Sequence, residues 1–164
     1  MELIMKQPLD IRILGVDDDP AMTELIDIIL KESGFKNYKL FNDPYKLLDE
    51  LTEDVHIVIV DNKLNSDITG LELVKKIAKI NKHCCFIMVS GDSHKSEIID
   101  YMNSVYGSKF IEKGSASSLI ITLVTHINEI VDHIHYIDAF YETAQRGSQM
   151  IEDAFDELIN IART

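Results

Sequence analysis

The sequence predicts an α/β fold: a doubly wound, five-stranded parallel sheet with helices on both faces, followed by a helical extension. Three observations predict it. Over the first 114 or so residues, five short apolar runs alternate with amphipathic segments of helical period. The third run, Ile57-Val58-Ile59-Val60 after His56, is β-branched throughout, as in a strand buried on both faces. Four of the runs end in a polar side chain, and parallel sheets bind ligands beyond the carboxyl ends of their strands.

Residues 11–16 form the first predicted strand and run into Asp17-Asp18-Asp19. Asp19 before Pro20 reads as a helix start, with aspartate as N-cap and proline at the first helical position. The helix Pro20–Glu32 places Met22, Leu25, Ile26 and Ile29 on one face and stops at Gly34, a glycine suited to a helix C-terminus. Tyr38–Phe41 is the second strand, 44–51 a shorter helix and 55–60 the third strand. Thr69-Gly70-Leu71-Glu72 is a capping-box pattern that opens a helix with Leu71, Val74, Ile77 and Ala78 on its apolar side. Residues 85–89 and 109–111 are the fourth and fifth strands, and Ser93 is placed to cap an intervening helix that reaches Met102.

Composition narrows the function. Hydrophobic residues make up 46% and charged residues 27% of 164, as in a globular domain. The net charge of -12 repels phosphate backbones and anionic lipid, so neither nucleic acid nor a membrane is an expected partner. Cys84 and Cys85 are adjacent inside an apolar run, cannot close a structural loop and lack metal-ligand spacing, so they read as packing residues. No run approaches the roughly 20 apolar residues that span a bilayer. Residues 1–10 lack the apolar centre of a signal peptide, and a reducing cytoplasm is the expected compartment.

Asp61 follows Val60 as Asp17 follows Val16, so two neighbouring strands deliver carboxylates to one rim. Crowded carboxylates repel one another. With Asp18 they make an oxygen site for a divalent cation, waters completing the octahedron. Ser90 ends the fourth strand and Lys113 the fifth. A hydroxyl, an ammonium and a metal neutralise the equatorial oxygens of a phosphoryl group in in-line transfer. Aspartate is a competent nucleophile for that transfer and forms an acyl phosphate. Taken singly these are a turn aspartate, a helix-starting serine and a solvated lysine; their order on successive strand ends is what carries the chemistry.

Asp17-Asp18, Asp61, Ser90-Gly91 and Lys113 resemble, in order, spacing and strand position, the motif set of the response-regulator receiver family of two-component signalling, over residues 9–128. The resemblance implies a flavodoxin-like sheet of strand order 2-1-3-4-5. It implies Asp61 as phosphoacceptor, Asp18 as direct Mg²⁺ ligand, Asp17 as the residue orienting metal-bound water and the main-chain carbonyl of Lys63 as a further ligand. Ser90 and Lys113 would grip the phosphoryl oxygens, and Phe110 matches the family's aromatic switch, turning inward as Ser90 moves. The implied partners are a histidine kinase or phosphotransfer protein upstream and an unnamed protein downstream. The implied role is signalling, with catalysis confined to the chain's own phosphorylation and dephosphorylation.

Three positions depart from the family pattern. Asn65 stands where proline is usual, Gly70 lies nine rather than eight residues after Asp61, and Gly114 replaces the proline that usually follows the lysine. Two further residues, Lys63 and Asp92, lie two past Asp61 and two past Ser90 and flank the path of a hydrolytic water. Opposite charges there would pair across the mouth of the site and slow self-dephosphorylation, although exposed pairs gain little.

Residues 129–164 are expected to continue the last receiver helix. Leu123, Ile127, Ile130, Ile134, Ile137 and Tyr141 recur at steps of three and four. Arg146-Gly147-Ser148 then reads as a break, favouring a helical hairpin whose second stripe is Ile151, Phe155, Leu158 and Ala162; one long helix through Gly147 is the alternative. The stripe needs a partner, by folding back or by forming a homodimer as a coiled coil or four-helix bundle. Beyond Gly114 only Arg146 and Arg163 are basic against eight acidic residues, unlike a DNA-reading output. His126, His133 and His135 have no metal-ligand spacing and read as solvated or packing histidines.

Two other functions fit fewer residues. A small phosphohydrolase of the haloacid-dehalogenase type also forms an aspartyl phosphate after a first strand, but usually has glycine after its second aspartate, where Pro20 follows Asp19 here. A receiver-fold interaction module that takes no phosphate is the other, if the changed loop after Asp61 disables the acceptor.

Overall fold

Apolar, β-branched segments such as residues 55–61 pair where both faces can be covered, and here five strands form one parallel sheet. The computed structural model describes residues 11–91, 95–105 and 107–162. Its strands are β1 (Arg12–Val16), β2 (Tyr38–Phe41), β3 (Val55–Asp61), β4 (Cys85–Ser90) and β5 (Lys109–Glu112), in the order β2-β1-β3-β4-β5. The helices are α1 (Pro20–Glu32), α2 (Pro44–Asp49), α3 (Gly70–Ile80), α4 (Lys95–Ser104) and α5 (Ala116–Ala162). Fold class and strand order are as expected. Asp92 and Ser93, the predicted cap of α4, lie outside the described residues.

Local chemistry fixes the helix starts. The Asp19 carboxylate accepts from the Ala21 N–H at 2.9 Å ahead of Pro20. The Thr69 hydroxyl accepts from the Glu72 N–H at 3.2 Å, while the Glu72 carboxylate accepts from the Thr69 N–H at 2.7 Å, closing the capping box. α1 ends ahead of Gly34, whose φ of 84° is the left-handed conformation that glycine tolerates. α2 stops at Asp49, two residues short of expectation.

The core lies on both sides of β3. Ile57, Val58, Ile59 and Val60 are all buried, with Phe86 and Met88 of β4 beside them and Leu73, Val74 and Ile77 of α3 above. Both cysteines are buried free thiols whose pKa values burial pushes up. Register aligns the strand ends: Val16 is paired with Phe41 and Val60, Asp61 with Val89, and Ser90 with Glu112.

The chain divides into two units, the first ending at Ile130 and the second being Val131–Thr164. In the second unit the favoured hairpin is absent, because α5 is one 47-residue helix that passes through Gly147. A helical glycine costs only about 1 kcal/mol relative to alanine. Ala144, Gln145, Arg146, Gln149 and Met150 around it are strong helix formers, and no proline supplies a true stop. Among the described residues no helix is long and apolar enough to cross a membrane.

Candidate functional site

The aligned strand ends bring together the residues that the sequence scatters over 96 positions. Asp17 and Asp61, just after β1 and at the end of β3, are 2% and 5% exposed, while Asp18 is half-buried. One oxygen from each of the three lies within 4.8 Å of the others. Lys113, after β5, reaches across the sheet edge. Its Nζ donates to Asp17 Oδ2 at 3.2 Å and pairs with Asp61 Oδ2 at 3.1 Å.

Burial pushes the Asp61 carboxyl above the usual aspartate range. The charge of Asp17 adds to the push, while Lys113 and a hydrogen bond from the Lys63 backbone N–H pull the other way. Burial also disfavours the Lys113 charge, yet hydrogen bonds and attraction from Asp61 and Asp17 outweigh it and hold the ammonium above the usual lysine value. The result is a charged lysine shared by two buried carboxylates.

Backbone ties fix this edge. The Asp17 N–H donates to the Phe41 carbonyl at 3.1 Å, and its Oδ1 accepts from the Asp19 N–H at 2.9 Å. The Lys113 N–H donates to the Ser90 carbonyl at 3.0 Å, joining the loops after β4 and β5. Ser90 itself is buried, and Phe110 is half-buried against the core. Lys63 is exposed, and Asp92, its expected counter-charge, lies outside the described residues.

The β3–α3 connection explains two departures from the family pattern. Asn65 has φ of 45°, which a proline ring locked near −65° cannot adopt. Gly70 sits against β3: a Cβ there would collide with the Asp61 carbonyl oxygen and lie 2.7 Å from the Asn62 Cα. Its N–H donates to the Asn62 carbonyl at 2.9 Å, and the Leu71 N–H donates to Asn62 Oδ1 at 3.0 Å. The start of α3 is thereby sewn to the end of β3. Between Asp18 and this loop lies a cleft of about 350 Å³, bordered by Lys63, Asn65 and Thr69.

Two positioning residues escaped the sequence reading. The buried Asn62 side chain accepts from the Leu71 N–H in the first turn of α3, and Asn42 Nδ2 donates to the Asp17 carbonyl at 2.8 Å and to Thr23 Oγ1 at 3.3 Å. An amide directly after a strand was the only available signal, and loop asparagines share it. Of the three histidines, His126 pairs with Glu129 at 3.1 Å on the surface of α5. Among the described residues the one cluster suited to a metal is Asp17, Asp18 and Asp61.

A parallel sheet of this order, with paired acids and a lysine at its carboxyl edge, defines a receiver-type signalling domain. The response regulator receiver domain family matches residues 13–125, and the chain belongs to it. Members are signalling modules rather than metabolic enzymes, which sets the phosphohydrolase reading aside. Similar solved structures include a response regulator receiver domain protein from Clostridium thermocellum, 21% identical with a TM-score of 0.63, covering 77% of this chain and 98% of that one. A CheY-like receiver domain protein from Methanospirillum hungatei JF-1 is 24% identical with a TM-score of 0.60, covering 75% and 98%. The BeF3-activated receiver domain of DrrB from Thermotoga maritima is 19% identical with a TM-score of 0.56, covering 71% and 97%. At these identities the likeness is one of fold. None of the curated proteins matches the chain in sequence.

Proposed function

We propose that Asp61 accepts a phosphoryl group from a histidine kinase or phosphotransfer protein, and that the acyl phosphate changes the affinity of the domain for a downstream protein. The observation that carries this is a buried aspartate at the end of β3 sharing the Lys113 ammonium with a second buried aspartate on the adjacent strand. The donor set fits Mg²⁺: only hard oxygen ligands, from Asp17, Asp18 and Asp61, close enough to share one ion, with the Lys63 main-chain carbonyl as the further ligand that the family resemblance implies. When bound, Mg²⁺ supplies positive charge that offsets the carboxylates and an incoming phosphoryl group.

Asp61 attacks phosphorus in line, and the electron pair of the breaking bond stays on the donor imidazole. Lys113 then pairs with a phosphoryl oxygen, and the buried Ser90 hydroxyl donates to another. Ser90 and Phe110 lie on adjacent strands, so a shift of the serine towards phosphate opens room for the ring to turn inward. The surface near Phe110 and α4 changes with it. Two free thiols suit a reducing compartment, and we place this chemistry in the cytoplasm.

Incubation with acetyl phosphate and Mg²⁺, read by intact mass, tests the assignment. Wild type is expected to gain one phosphoryl group and Asp61→Asn none. A wild type that stays unlabelled beside a labelling control receiver would leave only the non-phosphorylated interaction module. For the Lys63–Asp92 barrier, Lys63→Ala is expected to shorten the acyl-phosphate lifetime; an unchanged or longer lifetime would remove that idea.

A further inference from the structure

α5 carries a stripe more regular than a domain surface requires. Past Ile130, Ile134, Ile137 and Tyr141 recur at steps of three and four, and Ala144 and Ser148 keep the step across Gly147. Ile151, Phe155 and Leu158 then continue it without a slip. This is a strict seven-residue repeat with no charge at either stripe position. An α-helix of 3.6 residues per turn drifts about 20° per heptad from such a repeat, so the pattern suits a supercoiled partner of the same period. Ile134 and Ile137 are half-buried, and from Tyr141 onward the stripe is open: Tyr141 and Phe155 are each 63% exposed and Leu158 is 62% exposed.

We infer that this face of α5 is covered by the same face of a second copy of the chain, with the two helices parallel and in register. Charge sorting selects that occupant. With Ile134 at the first heptad position, Glu142, Asp153, Asp156 and Glu157 all fall on the outer face. Asp138 and Glu152 alone flank the seam. In a parallel pair each flanking residue meets the residue five positions earlier in the other helix. Asp138 then faces His133 of the second copy, and Glu152 faces Gly147 of the second copy. In a chain of net charge -12, no acid meets an acid across the seam. Exposure points the same way: Tyr141, Ile151, Phe155 and Leu158 each keep more than 60% of their surface open, and large apolar and aromatic side chains of this kind dominate interface energetics.

The full-length chain is tested by sedimentation across the micromolar range and by a short bis-maleimide cross-linker. Wild type is expected to run at the mass of two chains, and Ile151→Glu/Phe155→Glu at the mass of one. Both changes fall on exposed helix positions in the second unit, and unchanged far-ultraviolet circular dichroism checks that the fold survives. Ile137→Cys and Leu158→Cys should each cross-link to itself, the native cysteines being buried. A wild type that is monomeric at every concentration would overturn the inference. Cross-linking that appears only when the two cysteine variants are mixed would overturn it too, because that requires antiparallel helices.

Discussion

Gly70 is the residue on which the geometry around Asp61 most directly leans. Its missing side chain lets α3 start in contact with the Asp61 and Asn62 backbone, and the obstructing atoms are main-chain atoms that cannot rotate aside. Gly70→Ala is therefore expected to cost about 2–3 kcal/mol, the upper part of the roughly 1–3 kcal/mol range of overpacking. Urea unfolding measures the loss, and slower labelling by acetyl phosphate should accompany it as Asp61 is displaced. Gly147 is a contrasting case. A Cβ there meets nothing within 4 Å, so its substitution leaves the receiver untouched. Asn65 belongs with Gly70: its positive φ records a loop that has been rerouted, so the absent proline marks a different path rather than a lost residue.

At the level of elements, β2 and α1 are joined by a half-buried polar contact with its own pH signature. The Tyr38 hydroxyl donates to Asp27 Oδ1 at 2.7 Å, and burial, aided by that bond and the Asp27 charge, pushes its pKa up to about 12. A proton held more tightly in the folded state stabilises it fully below the ordinary tyrosine value of about 10. That contribution is lost as the pH climbs from there to about 12. Tyr38→Phe should cost about 1 kcal/mol at neutral pH. Its stability should also fall less steeply than that of wild type between those two pH values, which thermal melts across the range would show. This contact was not legible in the sequence, because its partners lie 11 residues apart and meet only once β2 docks beside α1. Asn42 and Asn62 were hidden for the same reason: each serves a backbone group that the fold brings close. What could be read was local or periodic. Asp19-Pro20 and the Thr69–Glu72 box announce their helices through neighbours within three residues, and β3 through its branched side chains. The tail misled because a glycine flanked by arginine and serine resembles a turn, while helix continuity depends on the summed propensity of a wide window.

For the whole molecule, the acidic balance and the pocket act together. A net charge of -12 disfavours compaction by self-repulsion, and two buried carboxylates concentrate that burden at one edge of the sheet. Mg²⁺ should therefore raise the thermal midpoint of wild type, by the equivalent of about 2.7 kcal/mol at a hundredfold excess over its dissociation constant. Asp18→Ala should abolish most of that gain while leaving the metal-free midpoint nearly unchanged, since Asp18 is only half-buried. Calorimetry with and without a chelator distinguishes the two. The acidic site itself was readable from the sequence, because parallel topology sends every strand's carboxyl end to one edge and so converts positions distant in the chain into neighbours.

The tie between the start of α3 and the end of β3 has a consequence for how this domain can diversify. Residues 63–68 form a loop whose two ends are stapled to each other by Asn62, Gly70 and Leu71. Leu64 is buried in the core and Ile68 packs against it, so the slack of this connection is confined to the exposed Asn65, Ser66 and Asp67. Length and sequence at those three positions can drift, reshaping the rim of the acidic pocket, while the Asp61 carboxylate keeps its address.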